Sequence, residues 1–164
     1  MKRFWLVLCL LPMATVADWG KIDSDEEKPW QEMQAQLPPA PSAEKLLPFF
    51  VSAATDNRFF IDGTSISVGS DGIVRYTLLV KSPQGALNRT FEGMRCATHE
   101  HKTYAFGRED GTWSKARQAK WESIQYLERN RHHHVLYDDF FCPAGVMIEK
   151  PEQALDALRR ERPR

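Results

Sequence analysis

The chain has 164 residues, with 22 lysines and arginines against 22 aspartates and glutamates, and a formal net charge of zero at pH 7. This length is typical of a single domain. A nucleic-acid-binding protein would carry an excess of basic residues, so the balanced charge argues against that class and we expect no nucleic-acid partner.

Residues 1–17 have the pattern of a secretory signal peptide. The segment begins with Lys2 and Arg3, continues with an apolar run over residues 4–13, and ends with small residues at its last positions. The run is too short to cross a bilayer as a helix, which takes about 20 apolar residues. We therefore predict cleavage between Ala17 and Asp18.

Cleavage at this position predicts a soluble periplasmic protein, with secretion or a cell-surface location as the alternative. The formal charge of the mature chain would be −2, because the leader holds two basic residues and no acidic ones. Membrane contact is expected only during export. A lipoprotein is disfavoured because Leu8, and not a small residue, precedes Cys9.

Cys96 and Cys142 are the cysteines of the predicted mature chain. Two thiols in an oxidising compartment most simply form a disulfide, and two buried free thiols are the alternative. Closing a loop of about 47 residues contributes roughly 4 kcal/mol in the chain-entropy model. A disulfide would also remove these sulfurs as nucleophiles.

Residues 18–47 predict an extended arm in front of a single domain at 48–164. The arm is acidic and contains Pro38, Pro39 and Pro41. Each proline has a restricted φ angle and donates no backbone hydrogen bond, so neither a sheet nor a long helix is expected there. We interpret the arm as a tether, with a ligand for a proline-binding protein as the alternative.

The domain begins with a pattern that favours β-strands. Short aromatic or alternating runs occur at 58–62 and 65–68, and the clearest strand spans 73–81. In that strand, apolar side chains alternate with polar ones such as Arg75 and Thr77. The alternation predicts a sheet with one face in the core and the other in water.

Two more strands are predicted after a type I turn at residues 82–85. In the run at 86–97 the alternation changes parity at Glu92 and Gly93, which predicts a β-bulge there. The run at 102–106 alternates again. We therefore predict an antiparallel meander of about five strands.

Helices complete the predicted α+β fold. Residues 131–141 place apolar side chains four residues apart, which is typical of a helical stripe, although a strand is the alternative. Residues 151–158 begin with proline and carry acids early, which indicates a helix. Residues 113–127 are compatible with a third. We expect two or three short helices on one face of the sheet, joined to it by one disulfide.

The standard catalytic motifs are absent from the sequence. It contains no G-x-S-x-G, no H-E-x-x-H, no phosphate-binding glycine loop and no C-x-x-C. We therefore assign no catalytic or cofactor-binding residue, expect no cofactor, and predict that the protein is not an enzyme.

Histidines form two groups in the sequence. His99 and His101 lie near a predicted hairpin tip, residues 132–134 are all histidine, and Asp138 follows His134 at helical spacing. A histidine and an aspartate four residues apart on a helix can hold Zn²⁺. Nothing in the sequence brings the two groups together, and a solvated helix end is the simpler interpretation. We assign no metal ligand, and a metal-binding protein or hydrolase remains the alternative function.

Long stretches of the chain resemble a known family. They are VSAATDNRFFID (51–62), SVGSDGIVRYTLLVKSPQGALNRTFEGMRCAT (67–98), YAFGREDGTWSKA (104–116) and NRHHHVLYDDFFCP (130–143). Together they are similar to the cryptic neisserial protein family, which consists of exported bacterial domains of unknown function. The resemblance implies a periplasmic or envelope location and supplies no catalytic residues.

These observations favour a non-catalytic envelope protein that binds a partner protein or peptide. We expect the contact at an exposed sheet edge or at the aromatic N-terminal arm. The near-neutral charge permits self-association but does not determine the oligomeric state.

Overall fold

A computed structural model of the chain describes residues 29–127 and 131–161. The predicted signal peptide and the first part of the predicted arm lie outside the described residues. Among the residues described, no helix is long and apolar enough to cross a membrane.

One antiparallel sheet contains the eight strands of the described chain. The strands are β1 (Leu46–Phe49), β2 (Arg58–Asp62), β3 (Ser67–Val68), β4 (Ile73–Lys81), β5 (Leu87–Arg95), β6 (Glu100–Gly107), β7 (Trp113–Lys115) and β8 (Glu122–Ser123). The order across the sheet is β1-β2-β4-β5-β6-β7, with β3 paired to β4 and β8 paired to β6. The prediction of about five strands is wrong, because β7 and β8 are too short to show an alternating pattern.

The helical part consists of two segments. The first is α1 (Arg131–Val135), which continues as a π-helical turn at Leu136–Phe141, and the second is α2 (Pro151–Arg160). Both were predicted. A helix within 113–127 is wrong: this stretch instead forms β7 and β8, and each pairs with β6. Pairing with β6 outweighs local helix propensity there.

The predicted disulfide between Cys96 and Cys142 is present, with 5.5 Å between the two Cα atoms. It joins the 3₁₀ turn at Cys96–Thr98, which follows β5, to the end of the π-helical turn. Close by, the Tyr76 and Phe141 rings pack with their centroids 4.6 Å apart. The bridge and this ring contact hold the helical segment against the sheet.

The prediction of one solvated sheet face is wrong for β4, whose residues 73–79 are all buried. Arg75 and Thr77, which the alternation placed in water, are among them. The helices cover one face, and the arm covers part of the other, where Arg75 Nη2 donates a hydrogen bond to the Met33 carbonyl oxygen. Alternation reports side-chain polarity, and a paired charge can be buried all the same.

The bulge lies on β6 and not on β5 as predicted. The register between the two strands shifts after Phe91, which leaves Tyr104 as the extra residue, whereas β5 pairs with β4 without interruption. Gly93 is needed opposite the bulge, since a Cβ there would lie 2.6 Å from Tyr104 Oη. The unbroken alternation of β5 keeps Glu92 on the helix-covered face.

The described part of the arm has no helix or strand over residues 29–42. A 3₁₀ turn at Ala43–Lys45 then leads into β1. The extended course agrees with the three prolines, and the sheet begins two residues before the expected domain start at residue 48.

Candidate functional site

Glu92, His101 and His133 meet between the sheet and α1 and form what we call the Glu-His-His site. Their possible ligand atoms all lie within 4.8 Å of one another, and all three residues are buried. Glu92 comes from β5 and His101 from β6, in register positions that place both on the same face. His133 is supplied by α1, which lies over that face.

The Glu92 carboxylate is held by three side chains. His133 Nε2 lies 2.8 Å from Glu92 Oε2, and the Tyr76 hydroxyl donates to the same oxygen at 3.0 Å. Thr90 Oγ1 donates to Oε1 at 2.6 Å. Burial opposes ionisation of Glu92, but the charge of His133 and the hydrogen bonds from His133 and Thr90 outweigh it and lower the pKa of Glu92 to about 2. Glu92 is therefore a carboxylate at neutral pH.

The two imidazoles of the site stack on each other, and His132, which is not part of the site, lies beside them. The His101 and His133 ring centroids are 3.7 Å apart, and His132 lies 4.1 Å from His133. Burial, together with the charge of His133, lowers the pKa of His101 and lowers the pKa of His132 to about 4. His101 and His132 are consequently neutral at pH 7, with a ring nitrogen lone pair available on each.

The two histidine groups of the sequence come together in the fold, where His101 stacks on His133. The pair that helical spacing suggested, His134 and Asp138, lies elsewhere on the helical segment. His134 Nδ1 lies 2.9 Å from Asp138 Oδ2, as expected for positions four residues apart, but half of the Asp138 side chain is exposed. His99 contacts Tyr137, with ring centroids 4.2 Å apart. His101 and His133 are the residues that meet a buried carboxylate.

Sequence analysis missed Glu92 as a site residue. The available signal was its parity: Glu92 alternates with Met94 on the inward face of β5, directly opposite Tyr76. An acid at such a position must be buried against partners. Those partners belong to elements remote in the sequence, so the local pattern could not identify them.

The opposite face of the sheet binds the arm through its backbone. Asp71 Oδ2 accepts a hydrogen bond from the Met33 N–H at 2.8 Å, and Arg75 Nη2 donates to the Met33 carbonyl oxygen at 2.9 Å. Farther along, Trp113 Nε1 donates to the Pro38 carbonyl oxygen at 2.7 Å. These contacts recognise an extended chain largely without regard to its side chains.

Side chains of the arm add specific contacts. Glu32 Oε2 accepts hydrogen bonds from Lys102 Nζ at 2.8 Å and from Trp121 Nε1 at 3.1 Å. Burial raises the pKa of Glu32, but its hydrogen bonds, led by Lys102, outweigh burial and lower that pKa overall. The Arg95 guanidinium carbon lies 3.8 Å from the centroid of the Trp30 ring, which is a cation–π contact. The described part of the arm is thus bound to the sheet.

A cavity of about 310 Å³ opens between the arm and the sheet. Met33, Leu37 and Tyr104 contribute to its wall together with Lys102 and Lys115. Its wall also includes Glu32, so it combines apolar surface with the Glu32–Lys102 ion pair and the ammonium group of Lys115. We call this cavity, with the exposed side chains of Trp30, Met33 and Leu37, the arm surface.

Comparison with known proteins identifies a family to which the sequence is similar. The model of the CNP1-like family matches residues 25–159, which include the described part of the arm. The chain is 28% identical over 133 residues to Cryptic neisserial protein 1 of Neisseria gonorrhoeae (strain ATCC 700825 / FA 1090), a match that covers 71% of this chain and 66% of that protein. The chain thus spans just under two thirds of that relative. No solved structure matches. Because the family match covers most of its length, this chain belongs to the CNP1-like family.

Proposed function

We propose that this protein is a non-catalytic interaction protein of the bacterial envelope, and that the arm surface contacts its partner. The proposal depends on one observation: three apolar side chains within the eight-residue segment 30–37 are exposed. Trp30, Met33 and Leu37 are 40%, 50% and 38% exposed. Neighbouring exposed apolar side chains are a mark of interaction sites. Tryptophan and methionine are also enriched in protein interfaces.

The way in which the arm is bound supports this proposal. Asp71 and Arg75 hold both backbone polar groups of Met33, and the Trp30 indole N–H donates to the Asp71 carbonyl oxygen at 2.7 Å. The exposed side chains are therefore carried on an ordered backbone. A preorganised surface loses less conformational entropy when a partner binds, so more of the contact energy appears as affinity.

The cavity beside the arm supports a partner of particular chemistry. Its wall combines Met33, Leu37 and Tyr104 with the ammonium group of Lys115, whereas Lys102 is already paired with Glu32 at 2.8 Å. An apolar side chain next to a carboxylate would match both features. We therefore propose that the partner is an envelope protein or peptide that presents an apolar residue beside an acidic one.

Site-specific photo-crosslinking in the native bacterium tests the proposal. A photoreactive phenylalanine analogue replaces Met33 or Leu37, and the matched control carries it at Val146, which is 68% exposed but lies outside the arm. We expect one discrete crosslinked product from positions 33 and 37, and none of that mass from position 146. The same products from all three positions, or none from the arm, would contradict the proposal.

A further inference from the structure

We propose that the Glu-His-His site binds one divalent transition-metal ion, with Zn²⁺ as the ion that best suits its ligands. Two imidazole nitrogens and one carboxylate oxygen form a donor set that zinc takes in proteins. Calcium and magnesium prefer oxygen ligands throughout, which this site does not offer. The site lies on the helix-covered face, so the inference is independent of the arm surface.

The spacing of the ligand atoms is close to what a metal needs. Tetrahedral zinc with bonds of about 2.0–2.1 Å holds neighbouring ligand atoms about 3.3 Å apart. Glu92 Oε2 and His133 Nε2 are 2.8 Å apart, and the possible ligand atoms of all three residues lie within 4.8 Å. An opening of about half an ångström between Glu92 and His133, with His101 approaching, would complete a three-ligand site.

Hydrogen bonds of the kind that orient a metal ligand are already present for Glu92. The Tyr76 hydroxyl and Thr90 Oγ1 both donate to the Glu92 carboxylate, at 3.0 and 2.6 Å. Such partners fix the orientation of a ligating carboxylate. The Nδ1 atoms of His101 and His133 are buried without a hydrogen-bond partner in the described chain. His133 would bind the ion through Nε2, which would release the proton of its present contact with Glu92.

One ligand of the site also borders a cavity. His101 lines a cavity of about 300 Å³ whose wall includes Thr103, Lys120 and Glu122. With three protein ligands, a fourth position is left for water or a small molecule. We expect that position on the side of His101 that borders the cavity.

Isothermal titration of the untagged, EDTA-treated mature protein with Zn²⁺ tests the proposal. We expect one zinc ion per chain with a dissociation constant of about 1 μM or tighter. His101→Phe keeps a stacked ring but removes one ligand, and should weaken binding by at least about tenfold. His132→Phe is the matched control, because His132 stacks on His133 but does not belong to the site, and it should bind zinc as the wild type does.

Circular dichroism at each titration condition establishes that the variants are folded. If His101→Phe does not fold, Glu92→Gln takes its place, since the amide oxygen can still accept from Tyr76, the amide NH₂ can donate to Thr90 Oγ1, and one charged ligand is lost. The inference is overturned if the wild type binds no zinc at one equivalent or if the ligand variant binds like the wild type. It is equally overturned if His132→Phe loses as much affinity as His101→Phe.

Discussion

Arg75 and Asp71 form a buried ion pair, with Arg75 Nη2 2.6 Å from Asp71 Oδ2 and side chains only 7% and 1% exposed. Both partners also bind the backbone of Met33. Burial alone would raise the pKa of Asp71, but hydrogen bonds from Arg75 and from the Met33 N–H lower it overall. One charge pair therefore joins the turn before β4 to the arm, and makes the arm part of the folded domain.

Arg75→Met should destabilise the protein by about 3–5 kcal/mol, because it leaves the Asp71 carboxylate buried without its cation. Urea unfolding followed by tryptophan fluorescence measures the change. Arg159→Met is the matched control: Arg159 pairs with Asp156 at 3.6 Å with both side chains more than 60% exposed, so its loss should cost less than about 1 kcal/mol. Equal effects of the two substitutions would refute a structural role for the buried pair.

Reduction of the disulfide should lower stability by roughly 4 kcal/mol, the chain-entropy value for a loop of this size. Thermal unfolding with and without a phosphine reductant measures the difference. Cys96→Ala/Cys142→Ala is the control and should unfold at one temperature under both conditions. A wild-type midpoint that the reductant does not move would show that the bridge contributes no stability.

Export predicts a particular mass for the natural protein. We expect intact-mass spectrometry of protein isolated from the native cell envelope to give a chain that starts at Asp18. Without prior reduction, iodoacetamide should add no mass to Cys96 or Cys142, because a disulfide has no thiol to alkylate. A retained leader, or two alkylated cysteines, would contradict the predicted location.

Acid should destabilise the fold through Glu92. Its pKa is lowered from 4.5 to about 2 in the folded protein, so the carboxylate contributes stability that is fully present above pH 4.5 and is lost as the pH falls towards 2. Urea midpoints between pH 7 and pH 3 should therefore fall more steeply for the wild type than for Glu92→Gln. The variant starts from a lower stability at pH 7 because the contact with His133 is weakened.

Exposed Glu152 in α2 provides the comparison for this pH series. Glu152→Gln should follow the wild-type profile, because this side chain is exposed and has no buried partner among the described residues. If Glu92→Gln and Glu152→Gln have the same slope against pH, the buried carboxylate is not the source of the acid sensitivity.

Local patterns were sufficient for several features of the fold. Alternation over 73–81 predicted β4, and apolar side chains four residues apart predicted the helical segment at 131–141. Both patterns report which side of one element faces the core, and a few neighbouring residues contain that information. The Cys96–Cys142 bridge followed from the count of cysteines left after the predicted leader.

Features that depend on contacts between remote elements were beyond local patterns. The short strand β8 exists because the start of β6 pairs with it, and Arg75 is buried because the arm and Asp71 bind its Nη1 and Nη2 atoms.

Sequence alone determined the longer strands, the two helical segments and which two sulfurs pair. Only the tertiary structure decided that residues 113–127 form short strands, that Glu92 meets His101 and His133, and that the arm covers part of the second face of the sheet. The physical reason is that strand register and helix placement set the distances between side chains far apart in the chain. A local pattern contains no information about those distances.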